Sequence, residues 1–264
     1  MNKEEVKRQK AYITGASKGI GAEFTRKLAP EYDLVIISRQ EDALNLLAKE
    51  LVTKYPDTII ETIGLDLTDP KALFNLEEKI RQEKNLGLLI NNAGFGSMNP
   101  FALSDIENES LQIDLNVRAL TRLSHAAIHN FLARKVSGKL INVSSVMAYM
   151  PAPGMATYAA TKAYVKSFTE ALFEELHKTG LYIQLLCPGA TKTDFQKRAG
   201  MDLSTMPDFF VMNAEEVVKE SLEAMKKKEF LCIPGLMNRS TATVLNMLPS
   251  ELTRKITGFF EGHK

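Results

Sequence analysis

Short apolar runs recur along the chain, separated by longer stretches in which apolar positions return every three or four residues. The runs are AYIT (11–14), LVIIS (34–38), IIETIGLDL (59–67), LLINNA (88–93), KLINVSS (139–145), YIQLLC (182–187) and FLCI (230–233). Most are continuous rather than alternating, the pattern of strands covered on both faces. The helical period appears near 20–29, 41–54, 70–83, 104–134, 157–178 and 214–227. Strands alternating with helices predict an α/β fold: a doubly wound parallel sheet of about seven strands with helices on both faces. No linker or repeat interrupts the pattern, so residues 1–264 are expected to form one domain. It breaks in two places, a long loop at 188–213 and an extension at 236–264 after the last strand.

Composition narrows the function classes. With 33 Lys and Arg against 32 Asp and Glu the net charge is +1, without the basic stripe of a nucleic-acid binder. The first ten residues are polar and mixed in charge, and no apolar run approaches the about 18 residues of a membrane span. The expectation is a soluble, cytoplasmic protein. Cys187 and Cys232 lie in apolar settings beside prolines and read as buried thiols, and neither they nor the four histidines have the spacing of a metal site.

Directly after the first strand comes TGASKGIG (14–21), with glycines at 15, 19 and 21. A glycine turn lets the backbone approach a pyrophosphate, and the helix that follows offers it N-terminal amides and a favourable dipole. No Gly-Lys-Ser/Thr closes the motif, so it is not a P-loop. Ser17, Lys18 and Ile20 share this turn and join the cofactor-binding candidates. The second strand ends in ISRQ, placing Ser38 and Arg39 where an acidic residue would take a ribose 2′-hydroxyl. A guanidinium forks instead onto a 2′-phosphate, and Lys18 adds a second positive charge, so NADP(H) is expected over NAD(H).

These residues, with Asp66-Leu67, NNAG (91–94), Asn116, NVSS ending at Ser145, Tyr-x-x-x-Lys at 158–162 and PGATKT (188–193), resemble the short-chain dehydrogenase/reductase family over roughly residues 8 to 235. The resemblance implies a Rossmann-like fold and a set of roles. Asp66 accepts from the adenine amino group and Leu67 packs beside it. Asn92, Ala93 and Gly94 pass close to a ribose, Pro188 and Gly189 line the nicotinamide, and Thr193 holds the carboxamide or pyrophosphate. Lys162 holds ribose hydroxyls and begins a relay toward Asn116 and solvent. A homo-oligomer built on the helices at 104–134 and 157–178 is implied in the same way.

Tyr158 and Lys162 are four apart on a helix and share a face. A nearby ammonium favours phenolate over phenol, which brings the tyrosine toward the range useful for proton transfer. Ala159, Ala160 and Ala163 are expected to leave room for the cofactor against this helix. Ser145 lies 13 residues before Tyr158 (158 − 145), the family's spacing, and is expected to bond the substrate oxygen. Ser144 points to the opposite face if strand alternation holds. The expected catalytic set is Asn116, Ser145, Tyr158 and Lys162, acting on a small-molecule carbonyl or alcohol.

The loop 188–213 is rich in Met, Leu and Phe, and GFGSMNPF (94–101) is expected to form a facing wall. Both suit a lipophilic ketone, aldehyde or 3-oxoacyl-type substrate, or equally the packing of a lid onto the domain. Leu252, Ile256, Phe259 and Phe260 form an amphipathic stripe in the tail. It packs on its own domain, covers the pocket, joins a partner subunit or rests on a membrane surface; the resemblance does not decide. Two other classes share parts of the pattern: a catalytically silent NADP(H)-sensing regulator, and sugar-nucleotide epimerases or dehydratases with a longer C-terminal domain.

Overall fold

The structure is a computed structural model, and it describes residues 8–200, 207, 210–249 and 251–255. Strand and helix alternate from the start: β1 (Lys10–Thr14), α1 (Gly19–Leu28), β2 (Asp33–Ser38), α2 (Glu41–Lys54), β3 (Ile60–Gly64), α3 (Pro70–Gln82) and β4 (Leu86–Asn91). Helices α4 (Ile106–Ile113) and α5 (Leu120–Arg134) follow, joined by a π-helical segment, Asp114–Ala119. Then come β5 (Lys139–Val143), α6 (Ala156–Leu176) and β6 (Tyr182–Leu186). The chain continues through β7 (Thr191–Lys192), α7 (Asp194–Ala199), β8 (Met212–Asn213), α8 (Ala214–Lys226), β9 (Leu231–Cys232) and α9 (Leu236–Met247).

Seven strands form one parallel sheet in the order β3-β2-β1-β4-β5-β6-β9. Alternate side chains enter different layers. Ala11, Ile13, Leu34 and Ile36 pack against Phe24 and Leu28 of α1 and Leu44, Leu47 and Leu51 of α2. Tyr12, Val35, Ile37 and Leu89 pack against Leu73 and Ile80 of α3 and Leu123, Ala127 and Phe131 of α5. This two-residue period explains why the strands read as continuous apolar runs: both faces are covered. After β1 the chain builds outward through β2 and β3, then returns to place β4 on the other side of β1. That reversal opens a crevice at the carboxyl ends of β1 and β4, where doubly wound sheets bind ligands.

Several expected boundaries move. The third strand stops at Gly64, so Leu65, Asp66 and Leu67 leave the sheet toward the crevice. The fifth stops at Val143, and both serines lie beyond it. The helix expected at 104–134 is not uniform, because the π-helical segment interrupts it. The loop 188–213 carries β7, α7 and β8, with β7 and β8 paired in parallel. Helix α9 was not predicted. Of the tail stripe, Leu252 is described and 44% exposed, whereas Ile256, Phe259 and Phe260 lie outside the described residues. Among the described residues, no helix is long and apolar enough to cross a membrane and no group of His, Cys, Asp and Glu could hold a metal.

Candidate active site

The crevice is a cleft of about 500 Å³. Its floor is the glycine turn. Gly15 has φ +67° and would, with a Cβ, meet Asn92 Nδ2 at 2.8 Å; on Gly21 a Cβ would collide with the Gly15 carbonyl oxygen. Thr14, which leads the motif, accepts hydrogen bonds at Oγ1 from the Asn92 and Ala93 amides, both at 3.0 Å, and donates to the Ile90 carbonyl. Asn92 Nδ2 donates to the Thr14 carbonyl at 2.9 Å. The turns after β1 and β4 are therefore locked together. Helix α1 begins here without a side-chain cap, leaving its first amides open toward the cleft.

Every expected cofactor-binding residue lines this cleft except Gly21, which lies buried behind Gly15. Arg39 Nη1 is 3.7 Å from Asp66 Oδ2, and Lys18 Nζ is 2.9 Å from Asp194 Oδ2 at the start of α7. Burial pushes the Asp66 carboxyl up, but two bonds from Thr68 and the Arg39 charge outweigh it and hold the group below its ordinary value. Gly94 completes the cradle: a Cβ there would lie 3.0 Å from Asn116 Oδ1 and 3.4 Å from Lys162 Nζ. An uncapped helix start, a glycine floor and two flanking cations fit a dinucleotide. Thr193 lines the cleft, but its hydroxyl already donates to Gln196 Oε1 at 3.1 Å.

Helix α6 presents Tyr158 and Lys162 to the cleft, 7% and 5% exposed. The Ser145 hydroxyl donates to the Pro188 carbonyl at 3.5 Å beside the Tyr158 phenol, and its oxygen caps a short 3₁₀ turn by accepting from the Met147 amide at 3.1 Å. Ser144 does turn the other way, donating to the Lys162 carbonyl at 2.7 Å and so fixing α6 against the end of β5. Lys162 Nζ donates to the Val143 carbonyl at 2.9 Å and lies 5.7 Å from the centre of the Tyr158 ring. Burial pushes the Lys162 ammonium down to about 8. The Tyr158 phenol moves opposite to expectation. Burial pushes it up to about 12, and only the Ser145 hydroxyl acts downward. The ammonium is turned to the Val143 carbonyl, and desolvation of the phenolate dominates.

Two further expectations need correction. Asn116 is 1% exposed and does not line the cleft. From the π-helical segment its amide donates to the Phe95 carbonyl at 2.9 Å and Thr161 Oγ1 at 3.1 Å, and accepts from the Phe95 amide at 3.1 Å. Its side chain is occupied in holding the loop after β4. Ala159, Ala160 and Ala163 also stand off the cleft; Ala160 and Ala163 point to solvent. The small residues that line the cleft are Gly94 and Gly189 instead, and the space beside Gly189 is taken by the Asn238 side chain.

Of the neighbours at this end, Phe195 and Phe95 belong to the two segments expected to wall the pocket, and Val146, Met147 and Met150 were not singled out by the sequence. Phe195 of α7 sets its ring 5.4 Å from that of Tyr158, tilted by 48°. Phe95, Val146, Met147 and Met150 line the same end. That end is apolar around one phenol and one serine hydroxyl, an arrangement suited to a carbonyl or alcohol carried on a hydrophobic group.

The model of the short chain dehydrogenase family matches residues 9–204. A short-chain dehydrogenase from Sphingobium yanoikuyae in complex with NADPH is 33% identical, with TM-score 0.83 over 97% of this chain and 96% of that one. The bulky-bulky ketone specific alcohol dehydrogenase from Comamonas testosteroni is 31% identical, with TM-score 0.80 over 97% and 95%. A very-long-chain 3-oxoacyl-CoA reductase from Pyrenophora tritici-repentis is 31% identical over 179 residues, 66% of this chain but 52% of that protein's length. The chain thus spans about half the length of that relative. A family match over most of the chain, on a fold that brings Ser145, Tyr158 and Lys162 into the same cleft as the glycine turn, leads to one statement: the chain belongs to the short-chain dehydrogenase family of nucleotide-dependent oxidoreductases.

Proposed function

We propose that this protein is an NADP(H)-dependent oxidoreductase that interconverts a carbonyl and a secondary alcohol. Its substrate is a lipophilic ketone, aldehyde or 3-oxoacyl-type compound. The observation that carries the reading is the meeting of Ser145, Tyr158 and Lys162 beneath an apolar end of the cleft. The bound nucleotide supplies the hydride.

The chain's own groups divide the remaining work. Gly15, Ser17, Gly19, Ile20 and the first amides of α1 hold the pyrophosphate, with Gly21 packed behind them to let the turn close. Ser38, Arg39 and Lys18 receive the 2′-phosphate, and Asp66 and Leu67 the adenine. Asn92, Ala93 and Gly94 lie along a ribose, and Pro188, Gly189 and Thr193 hold the nicotinamide end. Lys162, through its ammonium, holds the ribose hydroxyls and passes a proton toward the Asn116 segment.

Tyr158 donates its proton to the carbonyl oxygen while Ser145 bonds the same oxygen. A phenol pushed up to about 12 is fully protonated at neutral pH, which suits a donor in the direction of reduction. The NADPH-bound Sphingobium relative supports the cofactor, and the Comamonas and Pyrenophora relatives support a bulky or acyl-chain ketone. Exposed Leu111, Ile113 and Tyr164 on α4 and α6 support a homo-oligomer through these helices.

NADPH consumption over carbonyls graded from acetone to benzil, with NADH in parallel, tests the reading. Bulky apolar ketones should be turned over with NADPH, and Tyr158→Phe should lose at least about a hundredfold in rate while keeping its nucleotide affinity. Full turnover by Tyr158→Phe would refute the role of the phenol. Equal use of small polar and bulky apolar carbonyls would remove the substrate class.

A further inference from the structure

The Tyr158 ring has a neighbour that lies outside the cleft. Gly96 is buried, and a Cβ built on it would lie 2.7 Å from Tyr158 Cδ2, 3.0 Å from Cγ and 3.3 Å from Met155 Cε. Carbon atoms rest about 3.5–4.0 Å apart, so an alanine here and the ring as placed exclude each other. The backbone itself makes no demand for glycine, since Gly96 is not among the glycines with positive φ. What position 96 supplies is space, and the ring of Tyr158 occupies it.

The loop around Gly96 is tied down on every side. Phe95 is bonded through both its amide and its carbonyl to Asn116. Ser97 donates to Glu109 at 3.2 Å and accepts from Gln112 at 2.9 Å, both on α4. The Met98 amide donates to the Ala199 carbonyl of α7, and the Asn99 amide to the Gly154 carbonyl before α6, each at 2.8 Å. A loop anchored to three helical regions cannot easily retreat. The ring must yield instead, and it is pushed near its root, so the phenol oxygen at its far end moves at least as far. Phe195 and Ser145 meet the same side chain from other elements, so a shifted ring also loses register with them.

We propose that Gly96 is a positioning residue for Tyr158: its missing side chain, held in place by the anchored 95–99 loop, sets where the phenol points. This rests on the reading of Tyr158 as the proton donor.

The test is Gly96→Ala, read first by crystallography and then by rate, with NADPH and benzil as probes. The Tyr158 ring should move by about 0.5 Å with the surrounding strands unchanged. The rate constant kcat should fall roughly ten- to a hundredfold while KM for benzil and the Kd for NADPH hold. The high-pH limb of the rate profile should move up, because the Ser145 contact that favours phenolate is weakened. A ring in its original place, or a loss confined to KM, overturns the proposal. Should Gly96→Ala fail to fold, Ser97→Ala loosens the same loop without crowding. A smaller fall in kcat with the same upward limb supports the proposal, and a wild-type profile overturns it. Tyr158→Phe separates the two readings. If it stays active, the proton-donor role fails; if it is dead while Gly96→Ala is wild type, the positioning role alone fails.

Discussion

Burying Lys162 costs stability that an apolar side chain in its place would not. Its ammonium is pushed down to about 8 from 10.5 by desolvation, and it makes one bond, to the Val143 carbonyl. Below pH 8 both the folded and unfolded chains carry the charge, and the folded chain bears the full penalty. Between about 8 and 10.5 the unfolded chain binds more protons, so this contribution improves as pH rises. Lys162→Met should therefore be more stable than wild type at pH 7, by about 2 kcal/mol once the lost hydrogen bond is deducted. The advantage should shrink as pH approaches 10.5, while turnover is abolished. Denaturation at a series of pH values checks both claims; a variant less stable at pH 7, by an amount independent of pH, would show that burial does not penalise Lys162. Tyr158 and Lys162 were legible at this scale because their spacing is local. The upward shift of the phenol was not, because it depends on the solvent that the fold removes.

Among the elements, the π-helical segment at Asp114–Ala119 joins two parts of the site. From it Asn116 bonds the loop after β4 and Thr161 on α6. Three bonds, one buried and two partly buried, are lost together in Asn116→Ala, which should cost about 3 kcal/mol, measured as a lower denaturation midpoint. Turnover should fall with it although the side chain is off the cleft, because the 95–99 loop loses its tie beside Tyr158. Wild-type turnover in that variant would count against the coupling. The apolar period of residues 104–134 predicted one helix and did not reveal this interruption, which is confined to the six residues Asp114–Ala119. Gly96 was invisible for a different reason. Its φ is unremarkable, and only the three-dimensional placement of Tyr158 explains a glycine there. Strand ends went astray similarly at Leu65–Leu67 and at the two serines, where a last backbone bond from Leu65 and from Ser144 carries the chain one residue beyond the strand before it leaves the sheet.

At the scale of the molecule, the reversal of strand order between β1 and β4 decides where everything converges. That much was readable from alternating strands and helices and from glycines placed after the first strand. The cleft joins a floor made by the glycine turn to a wall made by α7, and Lys18 and Asp194 span the two at 2.9 Å. Both members are nearly half exposed, and Arg39 beside Asp66 is 60% exposed, so neither pair contributes much and either cation can turn to a phosphate at small cost. A ligand that binds only the folded chain stabilises it by about 2.7 kcal/mol at a hundred times its Kd. For a chain of this size that amounts to a rise in Tm of roughly 5–10 °C. NADPH should produce this shift at concentrations where NADH produces much less, because NADH offers Lys18 and Arg39 no 2′-phosphate. Replacing both cations by alanine should bring the two nucleotides to the same shift, and added salt should narrow the wild-type difference by screening the exposed charges. Equal shifts by both nucleotides in the wild-type protein would mean that Lys18 and Arg39 stay with Asp194 and Asp66. The preference for NADP(H) would then fall, while the fold and the Tyr158 chemistry would stand on their own observations.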